Sequence, residues 1–265
     1  MSAQELHETI TGCRTRIMRK GSGTPLLFLH GASGATQWLP FMDRLAERHE
    51  VWVPEHPGFG GTDTPAWLDN MGDLAFFYLD FMRQFGLGGV NLVGASLGGW
   101  LACEVAVRST AALRSLTLVA PAGLRVPGLR KTDIFMLSPE DTVRHLFHDP
   151  ALTEAALAVP QTEATLETSL KNRLAVAKLA WEPRLYSPHL HKWLHRVDVP
   201  ALVLWGRQDR IIPEGYAARF AELIPGARRH VIENCGHLPH VEKADEFVSA
   251  VESFIEGRDD GRIAA

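Results

Sequence analysis

The run Val90-Asn91-Leu92-Val93-Gly94-Ala95-Ser96-Leu97-Gly98 passes from a buried-strand pattern into a glycine-framed turn, and helical spacing follows from Leu97 to about Val107. A serine held between two glycines at a strand-to-helix junction is the pattern of a nucleophile elbow. The turn strains the serine backbone, and side chains at the glycine positions would strike the neighbouring strand and helix. The hydroxyl is thereby lifted above the sheet at a helix N-terminus, where partial positive charge favours a developing anion. The plainer alternative is a tight strand–helix turn with an incidental serine. The rest of the chain decides between the two.

On the N-terminal side, Thr9-Ile10-Thr11 and Arg14-Thr15-Arg16-Ile17 alternate in polarity as edge strands do, and Pro25–Leu29 is a continuous apolar run. Helical spacing covers residues 38–49 and 72–85, with the short strand Val51–Pro54 between them and a glycine-rich loop from His56 to Pro65. On the C-terminal side, the strand Leu116–Val119 follows. The alternation then stops from 124 to 190, where helical stretches and prolines take over. It resumes with the strand Ala201–Trp205, a helix at 214–223, the strand His230–Ile232 and a helix at 244–256, before a polar tail from Gly257. Strands alternating with helices predict an α/β fold, a mostly parallel twisted sheet with helices on both faces. The interruption is too long for a loop and reads as a helical lid inserted after the sixth strand. Residues 1–123 and 191–265 then form the core and 124–190 the lid, one domain overall.

Composition narrows the function. The chain has 265 residues, 46% hydrophobic, with a net charge of −4, so no basic footprint calls for nucleic acid or anionic lipid. No apolar run approaches the roughly 18 residues of a membrane span, and the start lacks the basic and apolar regions of a signal peptide. Cys13, Cys103 and Cys235 are odd in number and far apart, which argues against a disulfide scaffold and fits a reducing, cytoplasmic setting. His191 with His195, and His145 with His148, have spacings that a metal can bridge on a helix. Neither pair has a third ligand nearby, so they read as solvated helix faces, and no metal or organic cofactor is called for. Monomer and homodimer are both left open.

A serine needs a base, and the base needs an orienting carboxylate. Asp209 lies just past the strand 201–205, 113 residues after Ser96, and His237 follows 28 residues later, after the strand 230–232. Both positions fall on the edge of the sheet that carries Ser96. Ala120-Pro121-Ala122-Gly123, after the preceding strand, offers no competing carboxylate, whereas His240 remains an alternative to His237.

With His30-Gly31 after the first buried strand, Gly94–Gly98, Asp209, Gly236-His237 and the loop Pro57–Asp63, the chain resembles the α/β-hydrolase fold family from about residue 20 to 257. The resemblance implies a Ser96–His237–Asp209 triad and an oxyanion hole from the amides of Ala32 and Leu97. Ser33 is next along that loop, as a substrate contact or a loop cap. A serine rather than an aspartate at 96 argues against the dehalogenase and epoxide-hydrolase branches. The loop His30–Gly34 looks like the branch that hydrolyses carbon–carbon bonds of ring-cleavage products. That branch usually has asparagine before the serine and tryptophan after the histidine, where this chain has Ala95 and Leu238. The expectation is therefore a serine hydrolase of a small apolar or aromatic ester or thioester. C–C hydrolysis of a meta-cleavage-type diketone is the alternative, and a slow-turnover ligand receptor a further one. Eight basic and eight acidic residues balance within the lid, so a small-molecule substrate nearly uncharged at its scissile end is expected, lined by Trp38, Phe135, Trp181 and Leu238.

Overall fold

The computed structural model describes residues 2–257, and the tail beyond Gly257 lies outside the described residues. The chain runs β1 (Gln4–Ile10), β2 (Cys13–Lys20), β3 (Thr24–Leu29), α1 (Pro40–Leu45), β4 (His49–Pro54), α2 (Met71–Gln84), β5 (Val90–Ala95), α3 (Leu97–Arg108) and β6 (Leu113–Val119). Three helices follow, α4 (Pro139–Leu146), α5 (Pro150–Leu157) and α6 (Glu163–Ala180), then two short 3₁₀ turns. The chain closes with β7 (Ala201–Gly206), α7 (Tyr216–Leu223), β8 (Arg228–Ile232), α8 (Pro239–Glu242) and α9 (Ala244–Ile255). The sheet order is β1-β2-β4-β3-β5-β6-β7-β8; β1, β2 and β4 pair antiparallel and every other pair is parallel.

Alternate side chains along the central strands feed two apolar layers, one on each face. Leu27, Leu29, Leu92, Val203 and Trp205 join the layer formed with α2, α3 and α7. Leu26, Phe28, Val93, Leu202 and Leu204 join the layer formed with α1 and α9. Burying each such side chain contributes roughly 1.5–3 kcal/mol, and in-phase alternation across neighbouring strands fixes their register. Because β3 and β5 to β8 are parallel, Leu29, Ala95, Val119, Gly206 and Ile232 all end at one edge of the sheet.

Two elements differ from the sequence pattern. The β1–β2 ladder reaches from Gln4↔Arg19 to Ile10↔Cys13, well beyond the two short strands expected. On β1 only Ile10 is buried, so the edge strand shows little apolar period to read. Thr11 and Gly12, both at positive φ, make the two-residue hairpin turn that suits the strand twist. Helix α1 is six residues long rather than spanning 38–49. Pro40 starts it, since a fixed φ and a missing N–H suit the first helical position, and His49 is already paired to Thr24 in the sheet.

The segment between β6 and β7 leaves and rejoins the core at one place. Gly123 bridges to Tyr186, and Lys131 Nζ donates to the carbonyls of Leu124 (3.0 Å) and Leu185 (2.6 Å). Burial lowers the Lys131 ammonium to about 8. Among the described residues, no helix is long and apolar enough to cross a membrane.

The sheet edge is set by backbone-to-backbone approach. A Cβ on Gly98 would lie 2.1 Å from Leu29 O and 2.5 Å from His30 O, whereas one on Gly88 meets nothing within 4 Å. Gly98→Ala is expected to cost about 3 kcal/mol, lowering the melting temperature by roughly 6–10 °C. Gly88→Ala should leave it within a degree or two; calorimetry on both variants checks the contrast.

Candidate active site

Ser96 sits between β5 and α3 at φ 53°, ψ −112°, a conformation that L-residues rarely adopt. Its N–H donates to Val119 O (2.8 Å), and its carbonyl accepts from Trp100 N (3.1 Å) and Ala122 N (3.0 Å). A Cβ on Gly94 would lie 2.3 Å from Gly98 O, so the helix starts against the strand it has just left only because both residues are glycine.

Asp209 follows β7 in a loop whose amides converge on its carboxylate. Oδ1 accepts from Ile211 N (2.8 Å) and Ile212 N (2.9 Å), and Oδ2 from Trp205 Nε1 (3.1 Å) and His237 Nδ1 (2.7 Å). An ionised carboxylate only accepts, so the His237 proton sits on Nδ1. Nε2 is left to face Ser96 Oγ at 2.9 Å. The three residues therefore form one hydrogen-bonded chain, with Asp209 and His237 buried and Ser96 half-buried. His240 stands outside it, packed against the Phe28, Phe41 and Phe247 rings.

Beside Ser96 runs the loop after β3. A Cβ on Gly31 would lie 3.4 Å from both Ser96 Cβ and Ala95 O. His56 N–H donates to His30 Nε2 (2.9 Å), so the His30 proton is on Nδ1 and donates to Gly31 O (2.8 Å). His56 is fixed in turn: its Nε2–H donates to His30 O (2.9 Å) and its Nδ1 accepts from Tyr78 Oη (2.5 Å). The two imidazoles stack at 3.6 Å. Gly31 O belongs to the peptide that carries the Ala32 N–H, so the His30 bond fixes the direction of that N–H. Leu97 N–H, first in α3, has no partner within its helix. Burial with no compensating charge pushes His30 down to about 4 and His56 well below its ordinary value.

Two cavities open on Ser96 and its neighbours. The smaller, about 230 Å³, lies against Ser96 and His237 and is lined by Phe28, Leu39, Met42, Leu238 and His240. The larger, about 660 Å³, lies between Ala32-Ser33 and helices α4 to α6, lined by Ile134, Phe135, Leu157, Arg173 and Val176. Ala32, Ser33, Ile134, Thr142 and Leu146 border both. On the rim of the larger one, Arg144 pairs with Glu140 (2.8 Å) and Glu154 (3.4 Å). Arg173 has no carboxylate partner among the described residues.

The structure thus brings together Ser96, Asp209, His237, Ala32 and Leu97, and places Ser33, Phe135 and Leu238 on cavity walls. Trp38 and Trp181 are corrections, for they border neither of these cavities. Trp38 turns its indole N–H to Asp43 Oδ1 (2.8 Å) and packs on the α1 side of the sheet. Trp181 is half exposed, with the Arg184 guanidinium 4.0 Å from its ring centroid. The sequence reading missed Tyr78, His56 and Glu242. Glu242 accepts from Gly236 N (2.6 Å), His148 N (2.9 Å) and Asp149 N (2.6 Å), so it joins the His237 loop to the α4–α5 corner. Their signal is weak in one dimension, because the partners lie elsewhere in the chain and several of them are backbone groups.

The family described as alpha/beta hydrolase fold matches residues 24–244. This chain belongs to that family. Within the family it is similar to a 2-hydroxymuconate semialdehyde hydrolase of Pseudomonas sp. (strain CF600), 29% identical, with 96% of this chain and 94% of the relative covered. It is also similar to a 2-hydroxy-6-oxo-6-(2'-aminophenyl)hexa-2,4-dienoic acid hydrolase of Metapseudomonas resinovorans, 28% identical over 94% of this chain and 90% of the relative. Among solved structures, a bacterial membrane phospholipase A superposes with a TM-score of 0.82 at 26% identity, covering 96% of this chain and 86% of that one.

The buried imidazoles set an acid limit on this member of the family. Burial and the neighbouring His237 charge push His240 down to about 3. Unfolded histidines titrate near 6.5, so below that pH the unfolded chain takes up protons that the native site refuses until about pH 4 or 3. Stability is expected to fall steadily from pH 6.5 to 4. His240→Phe should flatten the fall by up to about 1.4 kcal/mol per pH unit, one proton's worth. Urea melts at pH 7, 5.5 and 4.5 read the slope; an unchanged slope removes His240 from this account.

Proposed function

We propose that the protein is a serine hydrolase that cleaves the carbon–carbon bond of a ring-cleavage-type diketone bearing a carboxylate. The hydrogen-bonded chain Ser96–His237–Asp209 beside an amide-lined loop carries the reaction class. Two observations favour the C–C substrate. The chain covers 90% or more of relatives named as hydrolases of dienoic acids and muconate semialdehyde, at 28–29% identity. Arg173, an exposed cation with no carboxylate partner among the described residues, also contributes to the lining of the larger cavity, whose wall is mainly apolar. Such a wall suits an unsaturated chain, and the guanidinium suits a carboxylate. Counting charges within 124–190 conceals this, because the acids on the cavity rim pair with Arg144 and leave Arg173 over.

In the proposed reaction, His237 Nε2 takes the Ser96 hydroxyl proton as Oγ adds to the ketone carbon. The amides of Ala32 and Leu97 hold the oxyanion, each contributing about 10²–10³ in rate. Collapse breaks the C–C bond, and its electron pair leaves as an enolate conjugated with the second carbonyl, which takes the proton back from His237. Water deprotonated by His237 then releases the acid from Ser96. Asp209 holds the imidazole tautomer throughout. Residues 124–190 act as the lid that closes the larger cavity over the serine.

Ester hydrolysis is the second reading. Ala95 and Leu238 favour it, since they place no polar group beside the serine or the histidine, and so does the likeness to a phospholipase structure. Turnover of a 2-hydroxy-6-oxohexa-2,4-dienoate should exceed that of p-nitrophenyl acetate by at least about 100-fold in kcat/KM, and the reverse order selects the ester reading. Ser96→Ala should lose at least about three orders of magnitude on both substrates while folding normally. Wild-type turnover by that variant would sink the assignment. Arg173→Met should raise KM for the dienoate by about tenfold and leave the acetate ester unaffected.

A further inference from the structure

We infer that Asn172, on helix α6, is a positioning residue through which the lid sets the oxyanion loop; the inference rests on the serine-hydrolase reading above. Asn172 is 4% exposed, and its amide spans two loops that come from far upstream in the chain. Nδ2–H donates to Ser33 O (2.8 Å) and Oδ1 accepts from Gly60 N (2.9 Å). A carbonyl only accepts and an amide N–H only donates, so this orientation of the side chain is the one the network allows.

The bond to Ser33 falls on the loop whose peptide geometry decides where an oxyanion is held. Residues 31 to 34 form a turn closed by Gly34 N to Gly31 O (3.2 Å). His30 Nδ1–H holds the same Gly31 carbonyl from inside the core, and Asn172 holds the Ser33 carbonyl from the lid. Ala32 lies between these two fastenings. Gly34 makes room for the outer one: it sits at φ 88°, and a Cβ there would lie 2.6 Å from Asn172 Nδ2.

The neighbouring Lys171 supplies a built-in comparison. Its Nζ donates to Gly60 O (2.7 Å) and Thr62 O (2.6 Å), so it fastens α6 to the loop after β4 without touching residues 31–34. Loss of Lys171 loosens the lid, whereas loss of the Asn172 amide releases the loop that carries the Ala32 donor. An oxyanion donor acts only in the transition state, so its displacement lowers kcat and weakens tetrahedral adducts but leaves ground-state binding nearly intact.

Asn172→Asp is nearly isosteric. It keeps the Gly60 bond and replaces the donor to Ser33 with an acceptor. On p-nitrophenyl acetate it should lower kcat at least tenfold with KM within threefold. Affinity for phenylboronic acid, whose serine adduct places an oxygen against the loop, should fall by the same factor as kcat/KM, while affinity for acetate changes less than threefold. Asn172→Leu, an apolar near-isostere, should do the same and serves if the buried carboxylate impairs folding. Lys171→Met should keep the wild-type ratio of boronate to acetate affinity. The inference is overturned if a folded Asn172 variant keeps wild-type kcat and boronate affinity, if boronate and acetate affinities fall together, or if Lys171→Met shows the same selective loss. It is also overturned if neither Asn172 variant folds, since the position is then a folding determinant. Wild-type turnover by Ser96→Ala would instead remove the serine-hydrolase reading itself, so the two failures are distinguishable.

Discussion

The contact on which the rest of this molecule depends is the meeting of bare backbones where β5 turns into α3 beside the end of β3. Gly98 lies so close to the Leu29 and His30 carbonyls that no side chain fits, and Gly94 lies as close to Gly98. That approach forces Ser96 into its left-handed conformation and brings the loop after β3 alongside the hydroxyl. Gly206, against the carbonyls of Cys235 and Gly236, repeats the device where Asp209 and His237 emerge. The geometry of the candidate site at the sheet edge is therefore a product of main-chain packing, and the polar side chains occupy positions that packing has already defined.

The helical segment between β6 and β7 is bonded into both halves of this arrangement. His237 N donates to Leu146 O (2.7 Å) at the end of α4, while Asn172 of α6 reaches Ser33 O on the loop after β3. Glu242 ties three amides together, one on the histidine loop and two on the α4–α5 corner. A segment that shares hydrogen bonds with the His237 loop and with residues 31–34 does more than lie over the sheet edge. It holds in place the two loops that flank the Ser96 hydroxyl.

The elbow and the positions of Asp209 and His237 were readable because each follows a short apolar strand, and parallel strands deliver their C-terminal ends to one edge. The eight-stranded sheet was readable for the same reason in its centre and less so at β1, where Ile10 is the one fully buried side chain and little apolar period is left. Trp38 and Trp181 misled because an aromatic side chain near a site in sequence says nothing about which way it turns; an indole hydrogen bond to Asp43 and a cation–π contact with Arg184 engage them away from the two cavities. The Tyr78–His56–His30 relay was invisible because the two histidines are joined through main-chain atoms and Tyr78 meets His56 from 22 residues away, neither of which a residue type announces. The unpaired state of Arg173 was hidden in a neutral charge count, since pairing is a property of distances and not of totals.

The Gly123–Tyr186 bridge and the Lys131 clasp have an evolutionary corollary. A segment whose two stems stand side by side can be lengthened, shortened or exchanged for another without shifting a single strand of the sheet beneath it, because loop length adds little closure cost once the ends are joined. The sheet and the residues at its edge can thus stay in place while the segment above them is rewritten. A replacement segment has only to recover the attachments this one makes to the His237 loop, to residues 31–34 and to the loop after β4.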